Sequence, residues 1–257
     1  MSGHRIAGRR VWLVGASSGI GAALARECVR RGARVAVSAR RVQRLAEVAD
    51  DRMVAVAADV TDRAGVDAAA AAVREALGGL DMVVYNAGYW EQTDAAAWDR
   101  DAFTRHVEVN LLGFNNVIGA TLPEFVARGC GHLVGVASIA GYRGLVGAEA
   151  YGATKAAQIN MLEAMRGALA PRGVAVTTVC PGFVRTEMTA GNDFPMPFMI
   201  EPVEAAAAIA RGLERGQQEI VFPLPMTAAF KAARLLPVRA WTALNRRTVR
   251  PRRRPVE

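Results

Sequence analysis

Val11-Trp12-Leu13-Val14-Gly15-Ala16-Ser17-Ser18-Gly19-Ile20-Gly21-Ala22-Ala23-Leu24 is the stretch that decides the fold class of this chain. Its first four residues are apolar and run straight into glycine, the pattern of a short strand buried on both faces. From Gly19 the composition turns to alanine and leucine, which are good helix formers. Between strand and helix the glycines leave bare backbone, so a pyrophosphate can approach the positive end of the helix. Taken alone, the same glycines also suit a tight turn with close strand–helix packing.

Outward from this unit, valine-rich runs recur at 35–37, 53–57, 82–85, 133–137, 174–179 and 220–222. Helix-forming, alanine-rich stretches lie between them, at about 19–31, 63–77, 99–128, 150–170 and 202–215. Such alternation implies right-handed crossovers and predicts an α/β architecture, a doubly wound parallel sheet of about seven strands. The 257 residues are 52% hydrophobic, enough for one large core, so residues 1–222 are expected to form a single domain. Residues 223–257 read as a basic C-terminal extension. They hold nine Lys and Arg residues against Glu257 alone, which accounts for the formal net charge of +8 and leaves residues 1–222 neutral.

Composition also excludes several classes. Cys28, Cys130 and Cys180 are odd in number and far apart, which argues against a disulfide framework and for a reducing, cytoplasmic compartment. His4, His106 and His132 are scattered without metal-ligand spacing, so no metal site is expected. The basic opening at His4, Arg5, Arg9 and Arg10 precedes an apolar run too short for a signal-peptide core or a membrane span.

Chemistry-bearing residues sit where this architecture presents ligands, at the carboxyl ends of strands. The second strand ends Val37-Ser38-Ala39-Arg40-Arg41, with Ala39 where an NAD-selective site would offer a carboxylate to the ribose. Arg40 and Arg41 can instead give charge-assisted hydrogen bonds to a 2′-phosphate, which favours NADP(H). The alternative is a solvated start to the next helix. Asp59-Val60 follows the third strand and Asn86-Ala87-Gly88 the fourth. Tyr151 and Lys155 lie four apart, on one face of a predicted helix. An ammonium beside a phenol favours phenolate and suits acid–base chemistry, whereas in isolation the pair would also fit a solvated helix face.

Together, Gly15-x-x-x-Gly19-x-Gly21 in its strand–turn–helix setting, Asn86-Ala87-Gly88, Ser138 thirteen residues before Tyr151, and Tyr151-x-x-x-Lys155 resemble the short-chain dehydrogenase/reductase family over about residues 10–222. The resemblance implies a Rossmann fold and an oxidoreductase that interconverts a carbonyl and an alcohol. By the same carry-over, Tyr151 is the acid/base, Ser138 polarises the substrate oxygen, Asn110 holds a water in a proton relay, and Lys155 also grips the nicotinamide ribose. Gly15, Ser17, Ser18, Gly19, Ile20, Gly21, Arg40, Arg41, Asp59, Val60, Asn86, Ala87, Gly88, Tyr151, Lys155, Pro181, Gly182 and Thr186 are then the expected cofactor contacts, Asp59 on the adenine and Thr186 on the carboxamide. Two residues depart from the family pattern: Val14 stands where threonine is usual, and Tyr85 where asparagine is. The family's habit of pairing through long helices implies a homodimer or homotetramer. A non-catalytic NADP(H)-binding regulator of the same fold is the competing reading.

The apolar segment Phe194-Pro195-Met196-Pro197-Phe198-Met199-Ile200 falls at the family's substrate-lid position, and Tyr89 and Trp90 could wall the same mouth. A lipophilic substrate is therefore expected, with core or subunit interface as the alternative role. From Met226 to Leu244, Met226, Phe230, Ala233, Pro237, Trp241 and Leu244 recur near helical spacing beside cations, with Pro237 interrupting any single helix. Such a segment suits an anionic membrane surface, with Phe230 and Trp241 at the interface, and so a peripheral location. A solvated or subunit-packed tail is the alternative, and nucleic acid ranks last because the core has no net positive charge and no reading motif.

Overall fold

The computed structural model describes residues 5–246. His4, Arg247, Arg250, Arg252, Arg253, Arg254 and Glu257 lie outside the described residues. The valine-rich runs form β1 (Arg10–Val14), β2 (Arg34–Ser38), β3 (Val54–Ala55), β4 (Met82–Tyr85), β5 (Gly131–Val136), β6 (Val174–Pro181) and β7 (Glu219–Phe222). They pair in parallel in the order β3-β2-β1-β4-β5-β6-β7. The order reverses between β1 and β4, and a crevice opens at the carboxyl ends there. The doubly wound sheet is thus a single Rossmann-type domain, as expected.

Period-two alternation sorts each strand between two cores. Val11, Leu13, Met82 and Val84 face the first core, with Leu24, Ala25 and Cys28 of α1 (Gly19–Arg30), Leu45 of α2 (Val42–Ala49) and Ile209 and Leu213 from a helix near the C-terminal edge, Pro202–Glu214. Trp12, Val14, Val83 and Tyr85 face the second, with Val66 and Val73 of α3 (Arg63–Leu77) and helices drawn from residues 100–169. Trp12 is fully buried, and its indole N–H donates to Ser38 Oγ across β1 and β2 at 2.8 Å, so its polar atom is satisfied.

The expected helix over 99–128 is divided. α4 (Arg100–Val107) leads through a π-helical turn, Glu108–Leu112, into α5 (Gly113–Arg128). A methyl at Gly113 would lie 2.7 Å from Val60 Cγ2 and 2.8 Å from Tyr85 Oη, so α5 starts in near-contact with β4 and the loop after β3. Tyr85 explains its own departure from the family pattern: its hydroxyl donates to the Val109 carbonyl and its ring lies 5.0 Å from Phe114. It ties β4 to the π-helical turn from beneath.

α6 (Glu149–Leu169) carries Tyr151 and Lys155, α7 (Glu187–Ala190) is a single turn, and α8 (Pro202–Glu214) is the edge helix named above. Beyond β7 the chain continues into α9 (Leu224–Ala233) and, after Pro237, α10 (Val238–Arg246). α9 packs on the core: Met226 and Thr227 are buried, and Met226 joins Ala137, Ile139, Tyr142 and Cys180 in a third cluster. The expected membrane-seated aromatics face the protein instead. Phe230 packs against that cluster, the Phe230 and Trp241 rings are 6.4 Å apart, and the Trp241 indole donates to Gly144 O at 2.9 Å. Packing those half-buried rings against the protein removes part of the apolar area that water would otherwise have to hydrate. Among the described residues no helix is long and apolar enough to cross a membrane.

Candidate active site

The turn after β1 enters α1 with Ser18 as N-cap, extended at φ −165°, and without a carboxylate in the first helical turn. That end is therefore suited to an anion. Gly15 is left-handed at φ +87°, and a Cβ there would sit 2.4 Å from Ala87 N. At Gly21 a Cβ would lie 2.2 Å from Gly15 O and 2.6 Å from Asn86 Nδ2. The two turns are consequently interlocked, with Asn86 Nδ2 donating to Gly15 O at 2.7 Å. The glycines thus serve the close packing and leave the helix end open, so the two readings of the motif are one arrangement.

A cavity of about 340 Å³ runs along this edge of the sheet. It collects Gly15, Ser17, Ser18, Gly19, Ile20, Arg40, Arg41, Val60, Asn86, Ala87, Gly88, Ser138, Tyr151, Lys155, Pro181, Gly182 and Thr186. Three expected site residues stand outside the lining: Gly21, packed behind the turn, Asp59, whose carboxylate accepts from Thr61, and Asn110. Val109, Ala137, Val184, Glu187, Met188 and Thr189 line it without any motif that would have named them. Val109 arrives on the π-helical turn and Glu187, Met188 and Thr189 on the single turn of α7, both set at the cavity by tertiary contact.

At one end, Arg41 donates to Ser17 Oγ at 3.0 Å and Ser18 Oγ at 2.9 Å, and pairs with Glu187 at 2.7 Å. Arg44 holds the other oxygen of Glu187 at 2.5 Å. These cations hold the Glu187 carboxyl below the usual carboxylate range, the hydrogen bond from Arg41 contributing most. Arg40 lines the cavity, is exposed, and has no hydrogen-bond or ion-pair partner among the described residues. Ala39 between the strand and these cations presents no acid.

At the other end stand Ser138, Tyr151 and Lys155. Ser138 follows β5 as N-cap of the short turn Ile139–Gly141, its Oγ accepting from Ala140 N at 3.1 Å and donating to Pro181 O at 3.5 Å, on the same cavity wall as the Tyr151 phenol. Burial pushes that phenol up to about 12, with the Ser138 hydroxyl pulling the other way. Lys155 lies one helical turn on, its Nζ 5.6 Å from the Tyr151 ring centre. Burial draws its ammonium down to about 7. In the protein alone, desolvation therefore outweighs the expected pull of Lys155 on the phenol.

Asn110, at the middle of the π-helical turn, is fully buried behind the cavity. Its Oδ1 accepts from Tyr89 N at 2.7 Å, and its Nδ2 donates to Tyr89 O and Thr154 Oγ1, both at 3.0 Å. The adjoining Trp90 meets Tyr151 edge-on at 5.2 Å and Phe194 at 6.4 Å, and its indole donates to Asn192 Oδ1 at 2.8 Å. The loop bearing Phe194 is pinned at its base by a bridge between Val184 and Ile200, and Phe194 also meets Phe183 at 6.0 Å. Phe198, by contrast, is 59% exposed. Of the expected apolar lid, Phe194 thus turns inward against Trp90 and Phe183, while Phe198 faces out.

The arrangement is a dinucleotide-type crevice at a topological switch point with a hydroxyl pair at its far wall. Residues 9–194 match the short-chain dehydrogenase family model, and the chain belongs to that family of oxidoreductases. It is 38% identical over 245 residues to an uncharacterized oxidoreductase of Myxococcus xanthus, covering 93% of this chain and 97% of that one. Among solved structures, a short-chain dehydrogenase from Burkholderia cenocepacia in complex with NADP superposes with a TM-score of 0.82 at 30% identity, covering 96% of this chain and all, 100%, of that one. A variant of actinorhodin polyketide ketoreductase with NADPH gives 0.76 at 27% identity, covering 84% and 95%. A nicotinamide cofactor fits these residues, given the open helix end and the glycine turn packed for close approach.

Proposed function

We propose that this protein is an NADP(H)-dependent oxidoreductase that interconverts a carbonyl and an alcohol on a lipophilic substrate, with Tyr151 as acid and base. The observation that carries it is that Ser138, Tyr151 and Lys155 share the wall of the same cavity that the glycine turn and Arg40 line. The amino end of α1 and Ser17–Gly19 would hold the pyrophosphate, Arg40 and Arg41 the 2′-phosphate, Asp59 and Val60 the adenine, Thr186 the carboxamide, and Lys155 the nicotinamide ribose. When bound, the cofactor supplies or accepts the hydride.

The side chains handle the proton. In reduction the Tyr151 Oη–H is donated to the carbonyl oxygen, which the Ser138 hydroxyl holds and polarises. In oxidation Tyr151 takes the proton back. Asn110 acts in this reading by positioning Tyr89 and Trp90, since its side-chain polar atoms are engaged there and with Thr154. Trp90 stands edge-on to Tyr151, with Phe194 against it and Phe183 against Phe194, and this apolar wall beside the phenol supports a lipophilic substrate.

A panel of aromatic and alicyclic ketones, followed by NADPH absorbance, tests turnover. Tyr151→Phe should lose most of it, at least ~100-fold, while NADPH affinity stays near wild type. No turnover of any ketone or alcohol with tight NADPH binding would favour the non-catalytic regulator. Assembly as a homodimer or homotetramer through the long helices belongs to the same proposal and is checked by light scattering.

The α9–α10 corner supports peripheral membrane attachment. Leu235 is 87% exposed, Val238 74% and Leu244 50%, beside the exposed cations Arg234 and Arg239. Co-sedimentation with anionic vesicles at low salt should retain the protein, neutral vesicles should not, and a Leu235→Ser/Val238→Ser variant should bind less. Recovery in the supernatant with anionic vesicles would rule this out.

A further inference from the structure

One buried polar side chain beside the chemical site has no part in the mechanism above. On α6, Lys155, Gln158 and Leu162 form one inward stripe, with exposures of 3%, 1% and 0%. A glutamine so deeply placed costs free energy unless both ends of its amide are satisfied. Both are. Gln158 Oε1 accepts from Lys155 Nζ at 3.0 Å, and Gln158 Nε2 donates to the Asn110 carbonyl at 2.6 Å. The partners dictate the amide's orientation: turned over, it would set N–H against an ammonium and oxygen against a carbonyl oxygen. Lys155 Nζ is held from a second side by the Val136 carbonyl, also at 3.0 Å.

We propose that Gln158 is a positioning residue for Lys155, clamping its ammonium between its own amide oxygen and the Val136 carbonyl and bracing it on the backbone of the π-helical turn at Asn110. The inference rests on the proposed roles of Tyr151 and Lys155. Its logic is electrostatic. Burial alone disfavours the charged amine, and the two carbonyl dipoles aimed at Nζ offset that cost. The titratable groups facing Lys155 are Tyr151 on its own helix and Cys180 at the end of β6. Cys180 is pushed up to about 11 by burial, so it is a neutral thiol at working pH and leaves Gln158 as the nearer handle on the amine. The Gln158 amide donates to the Asn110 carbonyl, so the clamp on Lys155 is anchored on backbone. An amide orients a neighbouring charge but does not pass a proton along as a hydroxyl or water does. Gln158 therefore sets the proton affinity of Lys155 and not its route of exchange.

The test uses the full chain with Gln158→Leu, and Gln158→Met as a second apolar variant should the first fail to fold. Two pH profiles are measured: turnover of the best ketone of the panel, and NADPH affinity by fluorescence. Losing one hydrogen bond to a charged group should lower the Lys155 break in the NADPH profile by about one pH unit and raise the Tyr151 limb of the turnover profile by a similar amount. The two limbs move apart, which a general loosening of the core would not produce. Unmoved limbs in a folded variant overturn the proposal. Lys155→Met and Tyr151→Phe are run in parallel: if they keep wild-type turnover and an unchanged NADPH profile, the reading of the site fails and this inference with it.

Discussion

Replacing Arg40 and Arg41 together with alanine should weaken NADPH binding roughly 30- to 150-fold and NADH binding by no more than about threefold. The magnitude follows from exposure. A shielded charge-assisted hydrogen bond is worth about 1.5–3 kcal/mol, but the Arg41 side chain is 46% exposed and must surrender part of its pairing with Glu187. About 1–1.5 kcal/mol per arginine then remains, or 2–3 for the pair, and each 1.4 kcal/mol is a factor of ten. Arg41→Ala also frees the Ser17 and Ser18 hydroxyls, so Arg40→Ala, at a residue with no partner to lose, is the cleaner single variant. Fluorescence titrations with both cofactors at one ionic strength, repeated at higher salt, give the comparison, and the wild-type preference should shrink as salt screens the contact. Equal losses for NADPH and NADH would mean that the arginines only shape the turn. Unchanged affinities would refute the assignment of the 2′-phosphate to this corner.

Glu187→Gln should act in the opposite sense, tightening NADPH by about threefold, because an exposed carboxylate no longer competes for Arg41; weaker binding in the same titration would show that Glu187 helps to orient the arginine. Gly21→Ala should destabilise the fold by about 3 kcal/mol in urea unfolding, since its methyl would sit 2.2 Å from Gly15 O, on the interlocked turn backbone, and 2.6 Å from Asn86 Nδ2. Lys155 makes stability depend on pH. Its value falls from an ordinary 10.5 to about 7 on folding, so between those values the unfolded chain binds more protons and stability rises with pH. From pH 7 to 9, before ionisation of the buried Cys28 and Cys180 thiols in the unfolded chain opposes it, cofactor-free wild type should gain about 2 kcal/mol, a few degrees in Tm, relative to Lys155→Met. Parallel melting curves of the two proteins across that range would contradict the buried-amine assignment.

Local patterning carried much of this protein in its sequence. Short valine-rich runs, glycines at a strand–helix junction and the four-residue step from Tyr151 to Lys155 are local features set over a few residues. From them the parallel sheet, the glycine turn and most of the cavity lining were legible. What the tertiary structure alone decided lies in contacts between distant segments. The helix expected over 99–128 breaks at a π-helical turn where α5 meets Val60 and Tyr85, residues remote in sequence. Phe230 and Trp241 looked like interface anchors by spacing, but spacing does not say which face of α9 meets Tyr142 and Cys180. Glu187 became a partner of Arg41 only through the closure of a loop 146 residues away. Gln158 is ordinary in a helix read alone; its meaning came from the Asn110 carbonyl that the fold, not the chain order, sets against it.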